Sequence, residues 1–562
     1  MITLWLMGLS AWAADNSATV LEEAIQIEVD RAMTGLALPN QPRPHHISVI
    51  VGDAQTTEVW ASDGALTLTD DSRPRFMRVD VRVGTPELDS GNFQAAFGRR
   101  QGMALRGLGR EDEELALRRE IWIALDRAYK GATETLAAKL AARRGRDLSY
   151  TTDFAPAEPA RSDKPPARQT DFSELQSTVL ALSKAVTNSD FIEVNEVGGA
   201  AGHYRSLFYD TAGTRLWRDN SKLVIRASVQ AKAEDGSTLV NNRSWIAQDL
   251  SGLPPIETMT RELREAASWL KQARKTQPDR EYLGPVLFAP AASAELFRQL
   301  LQPQICGTPP MESAPENASQ DARPIPTARI GRRLLPSGWR VTDDAHGHPE
   351  LVGAMSHDYE GVPTRAVSLV EDGVLRDVLM SRTPRSDRDQ STGHARGMAA
   401  DRFEAMPTQV NIAPGKARSW KRLRRQALSM AKSAGLSHVM IVKRLAPPSM
   451  EENLEFSITG DEPMAGLTTP TEVVKLYADG REEPVRGLRF VGADRRTLRD
   501  IVAAGRTQAP VQMLDVPGGS DRFGWGWFEG LGVSWAVPPV LIDEMELHAR
   551  SGGEARVVTR PE

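Results

Sequence analysis

Three histidines are the first residues that could do chemistry. His346, His348 and His357 lie within twelve residues, beside Asp343, Asp344 and Asp358. His-x-His on a strand would put two imidazoles on one face, and a third would close a zinc site. The opposing reading is a polar loop between strands, because motifs this short arise by chance. The one cysteine, Cys306, offers a nucleophile or a metal ligand, yet no histidine lies near it in sequence. A small residue at a helix end is the plainer reading. Ser391 and His394 are close, but no G-x-S-x-G elbow surrounds them, so they are no evidence for a serine hydrolase. The basic run Lys421-Arg422-Leu423-Arg424-Arg425 starts an amphipathic helix and reads as a solvated face. The Gly-Trp-Gly-Trp-Phe cluster at 524–528 reads as core or subunit contact, with a peptide or glycan platform as the functional alternative.

Composition narrows the field. With 562 residues, 40% of them hydrophobic, the chain can fill two or three domains. A net charge of -5 argues neither for nucleic acid nor for an anionic membrane, and neither is expected as a partner. No apolar window long enough to span a membrane follows the N-terminus. Residues 2–12 form an uncharged apolar run, and Ala11-Trp12-Ala13 fits the small-x-small cleavage rule. Residues 1–14 therefore read as a signal peptide, although no Lys or Arg precedes the run. The expected location is periplasmic or secreted, with cytoplasmic as the alternative.

The elements that must position these residues follow from periodicity. Helices are expected at 18–36, 113–144, 173–186, 256–274 and 420–434, the last closed by Gly435. Strands are expected at 47–51, 58–61, 65–68 and 76–83, then at 191–197, 204–209, 214–217 and 223–231. The second set echoes the first in pattern, which suggests an internal duplication. Further strands are expected at Val341, 366–370, 375–380, 409–412, 439–444 and 473–478, with hairpin turns at Asp372-Gly373 and Asp479-Gly480. Residues 156–166 and 307–328 read as loops, the second mobile. The division expected is an N-terminal α/β domain over 15–280 and a β-rich domain over 281–562, an α+β protein.

Residues 284–306 concentrate the functional question. Val286, Leu287 and Phe288 read as a buried strand, Pro290 as a turn, and Leu296, Phe297, Leu300 and Leu301 as the apolar face of a helix. Ser293 reads as its N-cap and Pro303 as its stop. With GPVLFAPAASAELF (284–297), the run at 341–382, STGHARG (391–397) and VVKLYADGREEPVRGLRF (473–490), the chain resembles the TldD/PmbA family of metallopeptidases. MRVDVRVGTPELDSGNF (77–93) and DRAYKGATETLAAKLAARRG (126–145) extend the resemblance into the N-terminal half. It implies a mixed α/β domain followed by a β-rich one.

The resemblance also implies a site. In the catalytic branch this helix carries His-Glu-x-x-x-His, zinc ligands plus a general base, completed by a distal cysteine. Alignment on Phe297 puts Arg298, Gln299 and Pro303 at those three positions, and no cysteine follows Cys306. The reading is a non-catalytic TldE/PmbA-like subunit or peptide-binding homologue, without zinc or another cofactor. It would form a homodimer or a heterodimer with a motif-bearing TldD-like chain. Two alternatives stand beside it: an active metallopeptidase with a rearranged metal site, and an exported binding protein that kept the fold.

Overall fold

The computed structural model describes residues 16–95, 102–144, 152–165, 172–187, 189–313, 329–448, 466–515, 528 and 530–549. The expected signal peptide at 1–14, residues 314–328 of the expected loop, and 524–527 of the aromatic cluster lie outside them.

Two long strands organise the N-terminal half. Pro44–Ser62 (β1) and Ile192–Asp210 (β6) run antiparallel, Ser48 opposite Asp210 and Ser62 opposite Glu196. Ala65–Ser72 (β2) and Arg75–Val83 (β3) pair with successive parts of β1, and Met103–Gly107 (β5) with β3; Phe93–Gln94 (β4) stands apart. On the far side follow Arg215–Lys232 (β7) and Thr238–Ala247 (β8). The sequence suggests two short strands where each of β1, β6 and β7 is one. Glycines explain part of this. A Cβ at Gly199 would lie 2.6 Å from Val179 and 2.8 Å from Leu175, so this glycine admits a helix rather than a turn.

Four helices cover one face of this sheet. Asn16–Gly35 (α1) and Glu114–Arg143 (α2) bury Leu21, Ile25, Ile121 and Leu125 against Ile47, Val49, Val51, Met77 and Val79. Ser173–Lys184 (α3) and Ile256–Ala273 (α4) bury Leu175, Val179, Leu263 and Leu270 against Val59, Val197, Leu223 and Ile225. The odd-numbered residues of β1 serve both clusters, as strand alternation requires. The even-numbered Ile50 turns the other way, with Phe208, onto Ala395 and Phe403 of the C-terminal half. The helix–strands–helix order thus occurs twice about the β1–β6 pair, matching the echo in sequence pattern.

The C-terminal half is built around Glu281–Phe288 (β9) and the helix that follows, Pro290–Ile305 (α5). β9 lies inside an eight-stranded sheet, parallel to His438–Leu445 and antiparallel to Val540–Ala549. Trp420–Ser433 (α6) covers one face through Leu423 and Ala427 against Leu287 and Ile441. α5 lies on the other face, where Leu296, Phe297 and Leu301 share a core with Val286 and Phe288. That core also takes in Val341, Ile412, Val533 and Trp535 from a second, six-stranded sheet. α5 is therefore enclosed between two sheets. The whole is an α+β fold.

Local details correct the expectation. Pro290 is the first residue of α5 rather than a turn, and Ala289 is the N-cap. Ser293 lies inside the helix, and its hydroxyl donates to Phe288 O at 3.3 Å. Pro303 does not stop the helix, which runs to Ile305. Proline lacks the N–H that would bond the carbonyl of Gln299, so the helix continues past it with one intrahelical bond fewer. Of the strand expected at 375–380, only Leu375 belongs to one, in Val374–Leu375. Both hairpins form at Asp372-Gly373 and Asp479-Gly480. Within the expected mobile loop, Glu312–Ser313 (β10) pairs parallel with β4, and Arg143 Nε donates to Glu312 at 2.8 Å.

Phe297 is fully buried between the sheets and faces Trp339 at 6.2 Å between ring centroids. Phe297→Ala is expected to cost about 3–5 kcal/mol, measured as a lowered midpoint of chemical denaturation.

Candidate functional site

Enclosure of α5 forces its polar residues to find partners inside the protein. Glu295 and Arg298 are one turn apart and both buried. Arg298 Nε and Nη2 donate to Glu295 Oε2 at 3.0 and 2.9 Å. Its Nη1 reaches Asp515 Oδ1, at the end of Val511–Asp515 in the six-stranded sheet, at 3.1 Å. One guanidinium thus bridges two buried carboxylates, the arrangement its planar fork of donors suits best. Gln302 Nε2 also donates to Asp515.

Gln299 is used at both ends of its amide. Nε2 donates to Glu295 Oε2 at 3.0 Å and to Thr468 Oγ1 at 2.9 Å, while Oε1 accepts from Thr468 N at 2.9 Å. Thr468 Oγ1 donates onward to Ala446 O at 2.6 Å. Arg226, buried on β7, adds a second positive charge. Burial pulls its guanidinium down to about 10, opposed by the charge of Glu295. Zinc would need thiolate, imidazole or carboxylate donors. A guanidinium stays protonated, the Gln299 amide is committed to neighbours, and Pro303 has no side-chain donor. These three positions do not fit the metal of the catalytic branch.

Cys306 caps the C-terminal end of α5, its N–H bonded to Gln302 O at 3.1 Å. It packs against the apolar core. Burial, then the charges of Asp515, Asp343 and Glu404, pushes the thiol well above its ordinary range. A nucleophilic or ligating cysteine requires the opposite shift.

The histidines do not assemble. His346 Nε2 sits 2.7 Å from Thr364 Oγ1, His348 Nδ1 lies 3.2 Å from Glu350 at the surface, and His357 Nδ1 is 3.2 Å from Ser356 Oγ. Asp344 accepts from the backbone N of His346 at 3.0 Å. Asp358 is buried and accepts from the backbone of Glu360, Val362 and Ala395 at 2.9 Å each. Among the described residues, no three His, Cys, Asp or Glu side chains form a metal-holding group. Ser391 and His394 also diverge. Ser391 Oγ donates to Met380 O, whereas His394 Nε2 faces Asp343 Oδ1 at 3.3 Å and its Nδ1 lies 3.0 Å from Thr392 Oγ1. This carboxylate–imidazole–hydroxyl line is sealed from solvent, with Asp343 and His394 at 0% and Thr392 at 2% exposure. It joins the strand Arg340–Asp343 to the 392–394 turn. In the basic run, Leu423 is buried and Arg424 pairs with Glu482 at 2.6 Å, while Lys421, Arg422 and Arg425 are exposed.

Sequence reasoning reached Arg298 and Gln299 but missed Glu295, Asp515, Thr468 and Arg226. Glu295 was legible in principle, as an acid three residues before Arg298 on one helix face. Asp515 lies 217 residues from Arg298, and no local pattern announces it.

Comparisons with known proteins agree with this architecture. Residues 281–549 match the family model of the PmbA/TldA metallopeptidase C-terminal domain. The chain is similar to TldE from Thermococcus kodakarensis, with a TM-score of 0.60 and 13% identity over 94% of this chain and 100% of that one. It is similar to a candidate modulator of a DNA gyrase from Thermotoga maritima, with a TM-score of 0.58 and 13% identity over 94% and 99%. A candidate modulator of DNA gyrase from Bacteroides thetaiotaomicron gives a TM-score of 0.59 and 11% identity over 95% and 99%. At such identities the likeness is one of fold. No curated protein matches the sequence.

A raised thiol pKa leaves Cys306 protonated at neutral pH. Its alkylation by iodoacetamide at pH 8 is expected to be at least ~10-fold slower than that of an unperturbed thiol, to accelerate as pH rises further, and to reach the ordinary rate in denaturant. Mass spectrometry over time reads this out, and rapid labelling of the folded chain at pH 7 contradicts it.

Proposed function

We propose that this chain, which belongs to the TldD/PmbA family through its C-terminal domain, is a non-catalytic member that serves as an assembly or peptide-binding subunit in proteolysis. The observation that carries the reading is the placement of Arg298. Its guanidinium lies between Glu295 and Asp515 at the helix position where the catalytic branch has its first ligand. Attack of water on a peptide bond by that branch's chemistry needs several metal ligands and a general base. Here a permanently protonated side chain stands in the ligand position, and an amide that cannot take a proton stands in the base position. The charges of Arg298 and Arg226 together match those of Glu295 and Asp515, so the helix and both sheets keep their packing without a metal. The likeness in fold to TldE supports a subunit role, and the partner of the reading is a similar chain bearing His-Glu-x-x-x-His. The apolar N-terminal run with its Ala11-Trp12-Ala13 site supports export. Among the described residues, no helix is long and apolar enough to cross a membrane.

The isolated chain is expected to contain no stoichiometric zinc by elemental analysis and to leave unfolded polypeptides and short peptides uncleaved, with or without chelator. Chelator-sensitive hydrolysis by the pure chain overturns the reading. So does stoichiometric zinc that His348→Ala removes, which would place a metal at the 346–357 segment.

Arg298→Met is expected to leave Glu295 and Asp515 buried without their shared cation, at a cost of about 3–5 kcal/mol. A triple change of Glu295, Arg298 and Asp515 to apolar residues of similar volume is expected to recover most of that loss. Denaturation midpoints of the two variants measure this, and equal destabilisation in both contradicts it.

A further inference from the structure

A second site lies on the helix-covered face of the N-terminal sheet, the face away from the C-terminal half. The two helix pairs cover the two ends of β1 and β6 and leave the middle uncovered. Residues 53–55 of β1, His203 and Arg205 of β6 and Trp217 of β7 meet there, with the Arg73–Arg75 break between β2 and β3. They line a cavity of about 460 Å³, within the size range of small-molecule sites.

Charge is the cavity's dominant property. Its lining holds five cationic side chains, Arg73, Arg75, Arg110, Lys164 and Arg205, against two carboxylates, Asp53 and Asp112. Both carboxylates are engaged by Arg75, whose Nε lies 3.1 Å from Asp53 and whose Nη1 lies 2.6 Å from Asp112. Two further carboxylates stand beside the lining and are also engaged: Asp219 bonds His203, and Glu22 accepts from the Trp217 indole at 2.7 Å. Arg205 Nε is buried and has no hydrogen-bond partner among the described residues. Burial, and then the charge of Arg205, pulls the Lys164 ammonium below its ordinary range, against the opposing charges of Asp112 and Asp53. Arg73 and Arg110 are exposed at the rim. Lys164 Nζ lies 5.3 Å from the centroid of the Trp217 ring. An excess of guanidinium donors in a roomy concave site suits an oxyanion, which takes them in pairs.

We propose that this cavity binds a small organic oxyanion, phosphate- or carboxylate-bearing, with Arg205 at its base and Lys164 closing over it. Recognition rests on charge-assisted hydrogen bonds from Arg205 and Lys164, with the Trp217 ring as an apolar wall. The site is independent of the α5 network, so it stands or falls apart from the proposed subunit role.

Isothermal titration of the full chain at low salt, with pyrophosphate and with citrate as probes, tests it. Saturable one-to-one binding of at least one probe is expected, weakened by added salt as charge pairing requires. The tighter probe assigns the phosphate or the carboxylate source. Arg205→Gln is expected to weaken binding at least tenfold, and Lys164→Ala at least threefold. His348→Ala, on the other side of the sheet, leaves it unchanged. Circular dichroism melts establish that the variants fold. Absence of saturable binding by both probes overturns the proposal, as does affinity unchanged in both cavity variants.

Discussion

A guanidinium taken out of water must be neutralised where it stands, and the C-terminal half is arranged around one that is. Enclosing α5 between two sheets removes solvent from the edge that carries residues 295 and 298. An unpaired cation there would cost several kcal/mol. Arg298 therefore ties its own helix, through Glu295, to the six-stranded sheet, through Asp515. Gln299 ties the same helix to the strand entry at Thr468. The register of α5 against both sheets is thus fixed by polar bonds as well as by the packing of Leu296, Phe297 and Leu301.

The same chemistry recurs where the N-terminal sheet meets the C-terminal half. Residues 376–403 follow an irregular course, and their carbonyls have few ladder partners to satisfy them. Arg78, buried on β3, donates to Met398 O, Ala399 O and Asp401 O at 3.4, 3.2 and 2.7 Å, and its guanidinium lies 3.8 Å from the Phe403 ring centroid. Arg396 donates to Pro407 O and Gly532 O at 2.7 Å each. Arg382 and Arg82 flank the Phe154 ring at 3.9 and 4.1 Å. Arginine, with five donors in a plane, satisfies several carbonyls at once and stacks besides. Lysine at Arg78 would lose the stack and part of the carbonyl set.

Much of this was legible in the sequence, and the limits have physical causes. The six helices are readable because their apolar residues recur at helical spacing. The hairpins at Asp372-Gly373 and Asp479-Gly480 are readable because few residue pairs adopt those turn conformations. β1 and β6 are not readable as single strands. Their centres carry polar residues such as Gln55 and His203, and β6 carries glycines over which α3 packs. In β1 the polar gap at 53–55 that breaks the pattern is the same feature that opens the cavity, whereas in β6 the pattern also breaks at Gly199, beneath α3. At α5, Ser293 and Pro303 mislead because cap and stop signals assume a helix end in water. In an enclosed helix, Ser293 finds Phe288 O and Pro303 fits the last turn.

Arg298, Gln299 and Pro303, the residues that the resemblance aligns with the motif, are coherent as a set. Arg298 contributes charge, but its partners are already two carboxylates of the protein. Gln299 presents an amide, and both ends of that amide are consumed by Glu295 and Thr468. Pro303 removes a side-chain donor and an N–H from the last turn. A catalytic centre leaves one coordination position or one lone pair unsatisfied for the reacting atoms. On this helix each polar group at positions 295, 298 and 299 instead has a partner within the chain. Creating a reactive vacancy there would require more than introducing one histidine, because the carboxylates that hold Arg298 would have to be redirected with it.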